Sequence, residues 1–492
     1  MHHFHSFLYV FAVFAISVFS DSSTDCPNVP FNPPVDLSKL TYYPNTFDRN
    51  PPLFPNYYNC TYQINVPNGY SAEIRVTVKP NLIVVEPPPV TITDQSGNED
   101  VMFSGTSIPF FLLANGGKIK FQTFEIGTRF QFSIRWYQLP STFTPTSFNL
   151  KISNPQPIIL PGNVKTPYRI LAETNVSVLV TPPENKDVGE FLKSFIFYDG
   201  PDWNSPILGN AYDIWRSEKQ MISSGRFLSF MPLPPHYQMN NMLIFQDFEN
   251  TKSINEYRCL TCTAYGSCDN LEMFGSDGRV SAISTVTLDG FDPEYLSTAG
   301  GTGTLDVYIG GMTKTKENLI QSFSLENSSS SFPQKFQNQF RTYVLNGEAT
   351  INLTQYSNFY NEKCDVGKKG FLASRYYKSG VPSSKQAGYE FVGANEQVKY
   401  YLNIRDADLN GKATLNVFVS GQGVVVYNKT FSSTNLPTLN QPIYVTGDKL
   451  GVTFQPTQEV TNGYYMDFEL LKASGTQPFL ISVILITVSL CW

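Results

Sequence analysis

The stretch Asn59–Val78, NCTYQINVPNGYSAEIRVTV, contains the parts from which the rest of the chain is built. From Tyr62 to Val66 apolar residues alternate with polar ones, and this period of two is typical of a half-buried strand. A turn follows at Pro67-Asn68-Gly69, where Pro presets φ and Gly tolerates positive φ. The second alternating run, Ala72–Val78, reads as a return strand, so the stretch predicts a two-faced β-hairpin beside a cysteine and a glycosylation sequon.

Composition extends this prediction to the whole chain, whose 492 residues fit about three to five domains. Aromatic residues make up 14 % and charged residues 15 %, and the 33 Gly and 34 Pro fall between alternating runs. This pattern favours an all-β fold of tandem antiparallel β-sandwich domains. The net charge of −6 comes without a Lys/Arg cluster, so we predict no nucleic-acid partner.

Both ends of the sequence predict processing. The uncharged run Phe7–Phe19 followed by Ser20 indicates a signal peptide over residues 1–20, although an uncleaved anchor has the same pattern. Residues 473–492 combine small residues with an uncharged tail, which is typical of a GPI-type signal, with Ser474 as the predicted lipid attachment residue. A free secreted form and a short membrane span are the alternatives. We therefore expect a secreted protein held by lipid at the extracellular face of the plasma membrane.

The cysteines agree with an oxidising compartment. Removal of the tail takes away Cys491 and leaves six cysteines, an even number that suits disulfides. Cys26 and Cys60 stand apart from the others and are expected to pair. Three pairings remain open for the other four, which are Cys259, Cys262, Cys268 and Cys364. A zinc site at Cys259 and Cys262 is the alternative for this cluster.

Few residues in the sequence suit catalysis or metal binding. Three of the four histidines lie in the first five residues, which leaves His236 in a proline-rich loop. We therefore predict no catalytic residue, no metal and no cofactor. Five sequons predict N-glycans on exposed loops or strand edges. Their asparagines are Asn59, Asn175, Asn327, Asn352 and Asn428.

Several separated motifs of residues 21–140 resemble one known family. They are Asp25-Cys26-Pro27, Phe31–Val35, Tyr42-Tyr43-Pro44, Asn59–Tyr70 and Ile134–Tyr137. Together they look like the CUB-like domain of nematode secreted proteins. The resemblance implies a compact β-sandwich, extracellular location and no catalytic residues. It also implies an association with epithelial surfaces and the response to pathogens. Phe130, Phe132, Ile134 and Trp136 are expected to fill the space between the two sheets.

Residues 141–257 resemble true CUB domains at Phe195–Pro201, at Ser205–Gly209 and at Ser223–Phe230. The resemblance implies a second CUB-like β domain, and it raises the question of calcium. Asp199 belongs to the shared loop motif, and Asp247 stands near the place of a late acidic ligand. The acid expected just before the Tyr-Asp-Gly motif is missing, so no calcium site is predicted.

The last two domains look like copies of one another. Thr304–Gly311 matches Thr414–Gly421 at an offset of 110, and Tyr343-Val344 matches Tyr444-Val445 after a gap. We predict a duplicated β domain at residues 258–363 and 364–472, with chance similarity of strands as the alternative. Two further motifs are interpreted as structural. Asp406–Gly411 resembles half a calcium loop but is read as a turn, and Gly300–Gly303 is read as a flexible connector.

These features predict a non-catalytic binding protein of the cell surface that acts in innate immune defence at an epithelium. Its partner would be an extracellular protein or glycan, contacted through loops at the ends of the sandwiches. A structural coat or matrix glycoprotein is the first alternative. A glycosidase working through two carboxylates is the second, since that chemistry needs no histidine.

Overall fold

The computed structural model is built from strands, which make up about 53 % of the chain against 6 % helix. It describes residues 25–45, 49–80, 87–125, 127–183, 185–237, 239–262, 268–275, 278–287, 293–355, 363–375, 377–378, 387–457 and 461–473. The predicted signal peptide, the lipid attachment residue Ser474 and Cys491 lie outside these residues. Two compact units divide the chain, one ending at Phe143 and one beginning at Thr144. In the described residues no helix is both long and apolar enough for a membrane span.

The first unit is a sandwich of two four-stranded antiparallel sheets. One sheet has the order β1-β8-β3-β6 and the other the order β2-β7-β4-β5. The strands are β1 (Thr41–Tyr43), β2 (Asn59–Ile64), β3 (Tyr70–Pro80), β4 (Val90–Thr93), β5 (Glu99–Met102), β6 (Gly105–Leu112), β7 (Gly117–Gln122) and β8 (Thr128–Gln138). Aromatic rings fill the space between the sheets, as predicted, since Phe130 and Trp136 are at most 1 % exposed.

The prediction that residues 59–78 form a hairpin is wrong, because the two strands do not pair with each other. β2 pairs with β7, whereas β3 pairs with β6 and β8 in the other sheet. Pro67–Gly69 is therefore a crossover between the sheets, although Gly69 does adopt the expected positive φ of 81°. The predicted alternation of buried and exposed side chains holds on β2. On β3 the predicted inner residues such as Ile74 are buried, but Ser71 and Glu73 are buried as well. Alternation determines which face is buried, but it does not determine the neighbouring strand.

The second unit begins with another two-sheet sandwich. Its sheets have the orders β14-β13-β16-β11-β9 and β10-β17-β12-β15. The strands are β9 (Thr146–Asn149), β10 (Ile158–Pro161), β11 (Tyr168–Leu171), β12 (Val176–Val180), β13 (Phe195–Tyr198), β14 (Ile207–Asn210), β15 (Met221–Ile222), β16 (Phe227–Pro232) and β17 (Met242–Asp247). A 3₁₀ helix at Lys186–Ser194 and two short helices, α1 (Ala211–Ser217) and α2 (Phe248–Thr251), complete it.

A third sandwich follows, with sheets ordered β18-β20-β25-β22-β23 and β19-β26-β21-β24. Its strands are β18 (Glu256–Thr261), β19 (Cys268–Phe274), β20 (Ser281–Val286), β21 (Glu294–Gly301), β22 (Thr304–Ile309), β23 (Leu319–Ser324), β24 (Gln334–Phe336), β25 (Phe340–Asn346) and β26 (Glu348–Thr354). Two 3₁₀ turns, Leu325–Asn327 and Ser329–Ser331, precede β24. A buried hydrogen bond from Gln246 Nε2 to the Tyr257 hydroxyl (2.9 Å) joins this sandwich to the preceding one.

The last domain is one seven-stranded sheet ordered β28-β33-β29-β32-β30-β31, with β27 beside β29. The strands are β27 (Lys363–Cys364), β28 (Lys369–Ala373), β29 (Gly388–Ala407), β30 (Thr414–Gly421), β31 (Val424–Ser432), β32 (Ile443–Gln455) and β33 (Tyr464–Lys472). Phe371 and Tyr465 of this sheet pack into the core of the third sandwich. The last two domains therefore share buried surface.

Four strands in each of these two domains are arranged in the same order. β20, β25, β22 and β23 are neighbours in that order, as are β29, β32, β30 and β31. Leu305 lies opposite Leu345 and Phe323, and Leu415 lies opposite Phe454 and Phe431. Val307 and Val417 occupy equivalent positions in the two copies; Tyr343 lies opposite Val307, and Val452 lies opposite Val417. Tyr343 therefore corresponds to Val452 and not to Tyr444. The duplication stays a prediction, with that part of its alignment corrected.

The segment Gly300–Gly303 is a tight turn between β21 and β22 and not a flexible connector. Gly301 and Gly303 have φ of 141° and 87°. A Cβ on Gly301 would lie 2.0 Å from the carbonyl oxygen of Glu348, and a Cβ on Gly303 would lie 2.0 Å from that of Asn346. Glycine is therefore required here by close backbone approach.

Candidate functional site

The two aspartates considered for calcium have structural partners. Asp247 caps helix α2, and its carboxylate accepts hydrogen bonds from the amides of Glu173 (2.8 Å), Thr174 (3.0 Å) and Glu249 (3.1 Å). The Asp199 carboxylate accepts from the Ser224 amide at 2.8 Å. Within the described ranges no group of three or more His, Cys, Asp or Glu side chains could hold a metal ion.

The calcium-like motif Asp406–Gly411 also has its oxygens engaged. Asp408 Oδ2 accepts from the Asn462 amide at 2.8 Å, and Asp406 Oδ2 accepts from the Tyr377 hydroxyl at 2.7 Å. Val417, at the position where a calcium loop needs a bidentate Glu, is 1 % exposed in the core. The motif forms the turn between β29 and β30.

The histidine of the proline-rich loop is on the surface. His236 is exposed beside a cis Pro234–Pro235 bond. Desolvation, and after it the charge of Lys165, lowers the pKa of His236 from its ordinary value. This position agrees with the surface loop predicted from the sequence.

The cysteines form two disulfides among the described residues. Cys26 is bonded to Cys60, as expected from their isolation, and Cys262 is bonded to Cys268. Cys259 and Cys364 lie outside both bonds, which corrects the expectation that all six are bridged. The reason is their position: Cys259 is buried with Leu179 and Tyr257 between the second and third sandwiches, whereas Cys364 packs against the core of the last domain. Burial raises the pKa of the Cys259 thiol.

The five sequon asparagines differ in accessibility. Asn59, Asn327 and Asn428 are exposed, whereas Asn175 and Asn352 are half-buried. The Nδ2 atom of Asn175 donates to the Ser223 carbonyl (2.9 Å), and that of Asn352 donates to Thr298 Oγ1 (2.7 Å).

We expect Asn327 and Asn428 to carry more glycan than Asn175 and Asn352 in the secreted protein, because a bulky glycan needs an open surface. Enzymatic deglycosylation followed by peptide mass spectrometry measures the occupancy of each site. Occupied Asn175 and Asn352 together with bare Asn327 and Asn428 would contradict this prediction.

One of the clefts among the described residues is a candidate binding site. It has a volume of about 370 Å³ and lies where the third sandwich meets the last domain. This volume falls within the range of small-molecule sites, about 300–1,000 Å³. We call it the joint cleft, and its lining comprises Tyr295, Ser330, Phe332, Pro333, Gln334, Lys335, Lys363, Cys364, Asp365, Val366, Gly367, Lys368, Phe371, Leu372, Glu390, Phe391, Val392 and Phe468.

The cleft is held by direct bonds between its two sides. Gln334 of β24 accepts from the Phe371 amide and donates to the Phe371 carbonyl, both at 3.2 Å, so its side chain continues the edge of β28. Lys368 Nζ donates to the carbonyls of Ser331 (2.8 Å) and Pro333 (2.9 Å). The Phe336 and Phe371 rings pack at 5.6 Å. These contacts make the cleft a preformed feature of the joint.

One wall of the cleft is an ion pair. Lys335 Nζ lies 3.0 and 2.8 Å from the two carboxylate oxygens of Glu390, and Gln337 also donates to Glu390. Glu390 is 8 % exposed. Its oxygens are therefore occupied by protein donors, and the wall closes the cleft without offering a vacant carboxylate.

Sequence reasoning did not find the joint cleft. Its floor comes from β28, β29 and β33, and its opposite side from the segment Ser330–Lys335 of another sandwich. No motif links these segments, and Phe371 and Val392 look like ordinary strand residues. The sequence favoured loops at the ends of the sandwiches for binding, and no floor residue lies in such a loop.

The comparisons with known proteins concern parts of the chain. Residues 149–233 match the model of a family described as Domain of unknown function (DUF7592), and residues 249–356 match Domain of unknown function (DUF7591). These ranges fall on the second and third sandwiches. No curated protein matches the chain.

Solved structures show distant similarity. The CUB1-EGF-CUB2 domains of rat MASP-1 are 9 % identical, with 44 % of this chain and 100 % of that chain covered, and a TM-score of 0.17. Those of human MASP-1/3 are 10 % identical, with 42 % and 98 % covered and a TM-score of 0.17. An insecticidal delta-endotoxin from Bacillus thuringiensis is 11 % identical, with 36 % and 43 % covered and a TM-score of 0.15. At such TM-scores these similarities support no argument.

The first sandwich also matches a family model. The model described as CUB-like domain matches residues 21–140, the same residues whose motifs carry the resemblance. The two disulfides are consistent with the extracellular setting of such domains. The chain thus carries a CUB-like domain at its amino-terminal end, followed by further β domains.

Proposed function

We propose that this chain is a non-catalytic binding protein of the extracellular cell surface and that the joint cleft is its ligand site. The cleft itself is the observation that carries the proposal. It is concave and of small-molecule size, and its apolar floor is held by bonds between two packed domains. The disulfides and the CUB-like domain support an extracellular location.

The finer parts of the proposal come from the sequence. A lipid at Ser474 anchors the protein, N-glycans cover part of its surface, and its role is in the response to pathogens at an epithelium. An extracellular protein or glycan is the larger partner, while the cleft accepts a smaller molecule or a protruding group of that partner. Phosphatidylinositol-specific phospholipase C should release an anchored protein from intact cells.

A binding screen tests the function. The secreted ectodomain is presented to microbial glycans, extracts of microbial small molecules and host surface proteins. Val366 is 40 % exposed at the rim of the cleft, so Val366→Trp narrows the entrance while leaving the core intact. Val424→Trp is the matched control, because Val424 is 65 % exposed and outside the cleft. The proposal predicts a ligand lost in Val366→Trp only, and a screen with no ligand would contradict it.

A further inference from the structure

We propose that the joint cleft binds an apolar molecule that carries one anionic group, with the apolar body on the floor and the anion at Lys363. This inference deepens the proposed function and rests on it, since it assumes that the cleft is a ligand site. The chemical class of the ligand follows from three observations: the floor is apolar, two buried polar side chains of the wall already have partners, and the mouth carries positive charge.

The floor of the cleft is apolar. Phe371, Leu372, Val392 and Phe468 line it and are between 4 and 8 % exposed. Their main chains belong to paired strands, so the backbone of the floor bonds to neighbouring strands. Removing apolar ligand surface from water on such a floor stabilises the complex in proportion to the area buried. The floor therefore favours a hydrocarbon or aromatic body.

Two buried polar side chains of the wall, Gln334 and Glu390, already have hydrogen-bond partners, which decides against a sugar beside them. Gln334 uses both ends of its amide on the main chain of Phe371. Glu390 accepts from Lys335 and Gln337. A sugar requires several groups that exchange hydrogen bonds with its hydroxyls, and a hydroxyl left unpaired in a buried site costs free energy. Breaking the Lys335–Glu390 pair to provide such groups would cost more.

The charge at the mouth is positive. Lys335, Lys363 and Lys368 line the cleft against two carboxylates, Glu390 and Asp365. Lys335 pairs with Glu390 at 2.8 Å, which leaves Lys363 and Lys368 against the Asp365 carboxylate. Asp365 Oδ1 accepts a hydrogen bond from Asn395 Nδ2 at 2.8 Å. Lys363 is exposed and has no hydrogen bond or ion pair with any residue that the structure describes. Its ammonium is therefore available to an anion at the entrance.

Three ligands with the same ten-carbon chain test separately whether the cleft binds an apolar body and whether it prefers an anionic group. Decanoate carries an anionic group, 1-decanol is neutral and decyltrimethylammonium is cationic. Isothermal titration calorimetry with the secreted ectodomain should show one decanoate per chain, bound about tenfold or more tighter than decyltrimethylammonium. Lys363→Glu should weaken decanoate about tenfold and leave 1-decanol unchanged. Lys412→Glu, at an exposed turn outside the cleft, should change neither.

The outcomes distinguish this inference from the proposed function. Equal affinity for the anionic and cationic ligands, or an unchanged decanoate affinity in Lys363→Glu, would overturn the anionic part. Absence of binding by all three ligands would overturn the inference as a whole. If the binding screen then still finds a ligand that Val366→Trp abolishes, the proposed function stands without it. Decanoate binding that Val366→Trp abolishes and Val424→Trp preserves supports both.

Discussion

Arg341→Met is expected to lower the free energy of unfolding of the third sandwich by about 3–5 kcal/mol, because it leaves a buried carboxylate without its partner. Arg341 and Glu294 are both fully buried, and Arg341 Nε lies 3.0 Å from Glu294 Oε1. Tyr343 and Thr285 donate to the same oxygen at 2.7 and 2.8 Å. The pair joins the two sheets, since Glu294 is on β21 and the other three are on β20 and β25.

Hydrogen exchange of the amides in β20 and β25 measures this local stability in the whole ectodomain. Lys369→Met is the control, because Lys369 is 56 % exposed and its ion pair with Glu469, at 3.3 Å, should contribute at most about 1 kcal/mol. Tyr343→Phe removes one hydrogen bond to the carboxylate and should cost about 1.5–3 kcal/mol if Arg341→Met does not fold. An Arg341→Met protein as stable as Lys369→Met would contradict the prediction.

Phe130→Ala is expected to destabilise the CUB-like sandwich by about 3–5 kcal/mol, as buried Phe-to-Ala changes usually do. The Phe130 ring is fully buried and stacks on Phe121 with 4.1 Å between centroids. It also contacts Phe54 and Tyr62, so its removal leaves a cavity between the two sheets. Denaturant unfolding followed by the fluorescence of Trp136, which lies in the same core, is the measurement.

Phe103→Ala provides the comparison in the same domain. Phe103 is 46 % exposed, so the same change of side chain should shift stability by about 0.5 kcal/mol or less. Equal effects of Phe103→Ala and Phe130→Ala would show that the rings of β8 do not form the core described for this sandwich.

The period of two in the sequence predicted the strands and their buried faces, as Tyr62, Ile74 and Trp136 show. It did not predict that β2 and β3 belong to different sheets, because partner choice depends on residues far along the chain. The glycine turn at Gly301 and Gly303 was missed for a similar reason. Its requirement for glycine comes from the backbone of Asn346 and Glu348 more than forty residues away.

The candidate site was harder to predict from the sequence than the fold. Phe371, Val392 and Phe468 look like core residues, and only the meeting of two domains makes them the floor of a cleft. Buried charge was also missed, since Arg341 and Glu294 look like surface residues until their strands are packed together. Both calcium-like motifs lack acids that such a site needs, and among the described residues neither belongs to a group of three or more His, Cys, Asp or Glu side chains that could hold a metal ion.

We propose that this chain is exported and folds outside the reducing cytosol into disulfide-bonded β domains. Non-reducing peptide mass spectrometry of the native protein tests it most directly. We expect linked peptides for Cys26 with Cys60 and for Cys262 with Cys268, a chain that begins near Asp21, and glycan on Asn327 and Asn428. A native chain that keeps Met1, carries no glycan and has all of these cysteines as free thiols would contradict it.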